Sequence, residues 1–114
     1  MTVSEDEYTP ATINESGLTR RTVAALQKAL GAENVVAIPP SMGGEDFGRY
    51  GREGIPIFMF MLGTQPPERI AEARQPGGKP LPSLHSDLFY PIPEPTLKTG
   101  VLSMTLAVLN LVGK

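Results

Sequence analysis

A chain of 114 residues with a formal charge of −2 has the length of one ordinary domain. It lacks the basic field that draws phosphate backbones, which excludes nucleic acid as an expected partner. The sequence contains no cysteine and a single histidine, so disulfides and thiolate metal sites are excluded and any metal would rely on His, Asp and Glu.

Glycine and proline, twelve of each, make up about a fifth of the residues against the roughly 12% of average usage, so much of the backbone belongs to turns and fixed loops. A hydrophobic share of 40% still reads as globular. The first residues are acidic and polar, and no continuous apolar run reaches the roughly 18 residues of a membrane span. The expectation is a soluble, cytoplasmic chain with no membrane partner.

In chain order, residues 2–12 form at best a weak strand with no obvious partner. Residues 17–30 read as an amphipathic helix, with Leu18, Val23, Leu26 and Leu30 near one face and Arg20, Arg21, Gln27 and Lys28 elsewhere. Asn14 or Ser16 suits its start and Gly31 its end. Residues 34–38 are a short β-branched run stopped by Pro39 and Pro40, which predicts a strand feeding a loop. In Ser41-Met42-Gly43-Gly44-Glu45-Asp46-Phe47, two glycines and then two carboxylates suggest a tight turn opening a short helix.

Residues 55–62 are almost wholly apolar, as a strand buried on both faces would be, and they are the best core candidate. Residues 63–84 have little periodicity, which in a compact domain marks a functional or mobile loop, and Pro66-Pro67-Glu68-Arg69 suits one helical turn within it. Pro95 suits the first turn of a last helix running to about Val112, with Leu97, Val101, Met104, Val108 and Leu111 on its buried stripe. No repeat and no dividing linker is apparent. The element order predicts an α/β fold, in which 34–38 and 55–62 are neighbouring parallel strands.

Three features carry possible chemistry. His85 lies in Leu84-His85-Ser86-Asp87, where Asp87 is placed to orient the imidazole, although a lone histidine is more often structural and a catalytic zinc needs about three protein ligands. The Gly43-Gly44-Glu45-Asp46 turn offers backbone N–H groups to a carboxylate, or its acidic pair simply complements the helix start. Arg20 and Arg21 suit an anionic substrate but read better as solvated.

Taken in order, Pro10 and Asn14, a helix ending in Leu30-Gly31, Met42-Gly43-Gly44-Glu45-Asp46-Phe47, Leu62-Gly63, Leu84-His85-Ser86-Asp87-Leu88-Phe89 and a last helix containing Gly100 resemble the C-terminal part of the zinc-peptidase superfamily's amidohydrolase branch. That branch includes aminoacylases, hippurate hydrolases, auxin-conjugate hydrolases and acetyl-diaminopimelate deacetylases. The resemblance implies the C-terminal portion of a zinc-exopeptidase-like α/β catalytic domain, with an incomplete sheet flanked by helices. Residues 1–12 would be the remnant of the last strand of an inserted lid and dimerisation domain, and 13–114 the C-terminal part of the catalytic domain.

It further implies His85 as the terminal metal-ligand histidine and Gly43, Gly44, Glu45 and Asp46 on the substrate side of the cleft. Glu45 stands where relatives carry Thr in a Gly-Gly-Thr-Asp turn. In the complete enzyme two divalent ions, zinc, manganese, cobalt or nickel, would polarise the amide carbonyl of an N-acyl amino acid or peptide and activate a bridging water. The family's Gly-His-Asp element and its Glu-Glu pair have no counterpart here, so no catalytic residue is assigned in this chain. The expected partner is the missing N-terminal catalytic part, with self-association of the chain alone. The alternative function is a non-catalytic binding or assembly module that keeps part of the fold.

Overall fold

The structure is a computed structural model that describes Tyr8 to Gly113. Its elements are α1 (Ser16–Leu30), a 3-10 turn (Ala32–Asn34), α2 (Gly48–Arg52), α3 (Pro67–Ala73) and α4 (Pro93–Val112). Among the described residues there is no strand, so the expected α/β sheet is not found and the fold is helical. The chain divides into two compact units, Met1–Phe60 with Thr105–Lys114, and Met61–Met104, where the sequence had shown no linker.

In the first unit α1 forms as its periodicity demands, but a different residue caps it. The Glu15 carboxylate, not Asn14 or Ser16, accepts from the Gly17 N–H at 2.7 Å and the Leu18 N–H at 2.5 Å, satisfying the free donors of the first turn. Gly31 ends the helix at φ 90°, a backbone angle that side chains disfavour, and donates to the Gln27 carbonyl. The buried face is Leu18, Thr22 and Leu26, one residue every four, and Ile57 and Pro10 of the same unit are buried too. Arg20 and Arg21 are exposed.

The two expected strands fail for one physical reason. A strand satisfies its peptide groups only through a neighbour, and neither run has a ladder here. Residues 34–38 instead begin inside the 3-10 turn, where the Asn34 N–H donates to Gly31 at 3.1 Å and its side chain to the Leu30 carbonyl at 2.7 Å; Val36 and Ile38 are left exposed. Residues 55–62 stay extended but only Ile57 is buried, and Ile55 and Met61 are exposed, so the run is not a two-sided core strand.

What replaces the ladder is a side chain. Asn14 donates from Nδ2 to the Met59 carbonyl and accepts from the Met59 N–H, each at 2.8 Å, while the Glu15 N–H donates to the Ile57 carbonyl at 2.8 Å. The carboxamide thus stands in for a peptide group of an adjacent strand. Phe58 and Phe60, two apart and therefore on one side of the extended segment, stack at 5.8 Å between ring centroids.

In the second unit α3 runs two turns from Pro67, at the helix start where a missing N–H costs nothing. The Ile92 N–H donates to Thr64 at 2.9 Å and Gln65 Nε2 to the Tyr90 carbonyl at 2.9 Å, closing the long segment onto the entry to α4.

The last helix departs most from its expected packing. Leu97, Val101, Met104, Val108 and Leu111 are all exposed, whereas Ser103 is buried and Asn110 donates to the Thr22 hydroxyl at 3.3 Å. The helix is also 20 residues long with a mean hydropathy of 1.3 over its best 18-residue window, so by length and composition alone it qualifies as a membrane span. Thr99, Ser103, Thr105 and Asn110 break it into short apolar stretches, so no continuous apolar run marks it in the sequence although the average stays high.

Candidate functional site

The segment 41–47 is exposed up to Asp46 and then enters α2. The Glu45 carboxylate accepts from the Phe47 N–H at 3.1 Å, meeting a donor at the entry to the short helix, whereas Asp46 contributes only its backbone carbonyl, which accepts from the Arg49 N–H at 3.0 Å. Neither Gly43 nor Gly44 has a positive φ, which corrects the expectation of a turn that requires glycine. A Cβ on Gly44 would meet nothing within 4 Å, and one on Gly43 only the Ser41 hydroxyl at 3.9 Å. The chain itself gives no reason for glycine at either position.

Beside this segment lies an open hollow of about 860 Å³, bordered by Glu45, Asp46, Phe47, Tyr50 and the Tyr8, Arg49 and Arg52 group. Arg49 donates to the Tyr8 carbonyl at 3.0 Å and the Arg52 guanidinium sits 4.9 Å from the centre of the Tyr8 ring. Phe47 and Tyr50 meet at 5.7 Å with tilted rings. Gly48 is buried where α2 passes the chain near its start; a Cβ there would lie 2.9 Å from the Ala11 carbonyl oxygen and 3.0 Å from the Thr12 hydroxyl. Here glycine is required by close approach. Nothing in the sequence pointed to the Tyr8 cluster, because its members are some forty positions apart; Asn14 was legible as a helix cap and as part of the family resemblance, not as a partner of Met59.

His85 is exposed in a turn of the second unit. That turn is organised by Ser86, whose N–H donates to Ser83 at 3.0 Å, whose carbonyl accepts from Phe89 at 3.0 Å and whose hydroxyl accepts from the Leu88 N–H at 3.1 Å. Gly43, Gly44, Glu45 and Asp46 are contiguous in the first unit. With no strand among the described residues, the expected neighbouring parallel pair of 34–38 and 55–62 is not formed.

No group of three or more His, Cys, Asp or Glu able to hold a metal occurs among the described residues. One exposed imidazole does not fit a dinuclear centre, which needs several convergent ligands. The described residues therefore do not assemble a site for the metal that the motifs suggest.

Comparison with known proteins gives one family. The sequence model of peptidase family M20/M25/M40 matches residues 1–76, which include the Gly43 to Asp46 segment and stop short of His85. No solved structure matches the chain. Matched over two thirds of its length, the chain belongs to peptidase family M20/M25/M40.

Proposed function

We propose that this chain is the carboxyl-terminal part of a catalytic domain that hydrolyses the amide bond of N-acyl amino acids or short peptides, and that it is silent without its complement. The family is one of generally metal-dependent peptidases and hydrolases. The observation that carries the reading is the family match across residues 1–76, which takes in the glycine pair and the acidic pair. Two glycines without a local steric or torsional cause suit close approach by a ligand's carboxylate to their backbone N–H groups.

On this reading residues 1–12 end the inserted lid, of which residues 1–7 lie outside the described structure, and 13–114 belong to the catalytic domain. His85 contributes one exposed imidazole, and Gly43, Gly44, Glu45 and Asp46 face the substrate. The general base and the remaining ligands come from the missing N-terminal part, as does the choice among zinc, manganese, cobalt and nickel. No step of the reaction is completed by the residues present.

The test is to assay the purified chain against N-acetyl and N-benzoyl amino acids with added zinc or manganese, with metal affinity measured by calorimetry. The expected result is no hydrolysis above the metal-only blank and only weak metal binding, because loss of a general base alone removes a factor of about 10²–10⁴. Hydrolysis that disappears in His85→Ala would show a complete site and end this reading. Reconstitution with a polypeptide carrying the Gly-His-Asp and Glu-Glu elements separates an enzyme part from a binding or assembly module, since only the former gains activity.

A further inference from the structure

Residues 8–12 lie along residues 45–52 in the opposite direction, all within the first unit. The Thr12 hydroxyl donates to the Glu45 carbonyl at 3.5 Å, and a Cβ on Gly48 would stand 2.9 Å from the Ala11 carbonyl oxygen. At the other end Arg49 donates to the Tyr8 carbonyl at 3.0 Å and the Arg52 guanidinium sits 4.9 Å from the centre of the Tyr8 ring. Pro10, between these ends, is buried and fixes its own backbone angle. Gly51, three positions after Gly48, admits the buried Ile57, whose Cδ1 would lie 3.0 Å from a Cβ there. A helix of five residues is too short to persist by its own hydrogen bonds, so these neighbours decide where α2 sits.

We infer that residues 8–12 are a strap that positions α2 and the Glu45–Phe47 entry to it, latched by Tyr8 on Arg52. The bond from Arg49 uses only the backbone of residue 8, so the aromatic ring counts through its contact with Arg52. A guanidinium suits that contact because its flat, weakly hydrated face lies on a ring where an ammonium stays solvated. Both are positioning residues. Glu45 is held twice, by its carbonyl on Thr12 and by its carboxylate on the Phe47 N–H, so a strap that lifts takes the acidic residue with it. One consequence rests on the function proposed above: the strap is then the end of the inserted lid, and it ties the lid directly to the segment that faces substrate.

Amide exchange of the full chain, followed by nuclear magnetic resonance without substrate or metal, reads the strap directly. The reporters are the N–H groups of Phe47, Arg49 and Tyr50, bonded to Glu45, Asp46 and Phe47 in turn. The Met59 N–H, held by Asn14, and the α1 amides are controls in the same unit. Tyr8→Ala is expected to speed the reporters about two- to fivefold, the worth of an exposed cation–π contact, and to leave the controls unchanged. Tyr8→Phe keeps the ring and should match the parent.

Arg52→Ala should speed the same reporters equally, and the double variant no more than either single one, because both remove one contact. If Tyr8→Ala disturbs the whole unit, Arg52→Ala and Tyr8→Phe still decide. Parental exchange in both alanine variants, Tyr8→Phe as fast as Tyr8→Ala, additive acceleration in the double variant, or controls that accelerate with the reporters in Arg52→Ala overturns the inference. Hydrolysis plays no part in this readout, so a failed reconstitution would count against the amidohydrolase reading and leave the strap standing, while parental exchange would do the reverse.

Discussion

Asn14 and Gly48 do different work from what their types suggest. The Asn14 carboxamide supplies both a donor and an acceptor to the Met59 peptide, each at 2.8 Å, in a part-buried setting where the freed peptide groups would find water poorly. Asn14→Ala is expected to cost about 1–3 kcal/mol, and Asn14→Asp nearly as much, since a carboxylate would face the Met59 carbonyl without a proton to give. Equal urea midpoints for Asn14→Asp and the parent would show that the acceptor half of the pair suffices. At Gly48 a methyl group has no room beside the Ala11 carbonyl. Gly48→Ala should destabilise by about 1–3 kcal/mol, although alanine normally favours a helix, and a neutral thermal melt would mean that the stretch near Ala11 yields freely. His85 is exposed, so His85→Ala should leave stability within about 0.5 kcal/mol while removing the imidazole proposed as a metal ligand of the reconstituted enzyme.

Among the elements, α1 depends on its cap. Its two backbone N–H donors, with smaller help from Ser16 and Arg21, hold the Glu15 carboxyl below the ordinary value of 4.5. A depressed carboxyl contributes stability that is fully present above the unfolded value and is lost as pH falls through the folded one. The α1 helical signal should therefore hold at neutral pH and decline below about 4.5. Glu15→Gln should abolish that part of the acid dependence, and an unchanged acid profile in this variant would remove Glu15 as its cause. Helix α4 carries the opposite lesson, because the stripe expected to be buried, Leu97, Val101, Met104, Val108 and Leu111, is exposed and Ser103 is buried instead.

For the whole molecule, the buried hydrophobic side chains among the described residues are Leu18, Leu26 and Ile57, all in the first unit. So small a core exposes less new apolar surface on unfolding than that of a self-sufficient domain of equal size. A urea transition with an m-value below roughly 1 kcal/mol/M is expected, at or under the low end for small proteins. A steep transition from a monomer would show a core larger than Leu18, Leu26 and Ile57 provide. This thin core is what a portion of a catalytic domain would have, and it fits the match to peptidase family M20/M25/M40.

The sequence by itself determined what is local. The period of residues 17–30 set α1, Gly31 ended it, proline opened α3 and α4, and the ordered motifs around Gly43, Gly44, Glu45 and Asp46 pointed to the peptidase family. Only the tertiary structure decided what depends on a partner. Whether 34–38 and 55–62 become strands rests on a neighbouring ladder, which these residues lack, and extended apolar runs carry no record of that neighbour. Glu15 took the cap because it can reach two free N–H groups at once, and Asn14 was then free to bind Met59 across 45 positions. Which side of α4 is buried was likewise beyond reach, since hydrophobic period identifies a face but not the molecule that covers it.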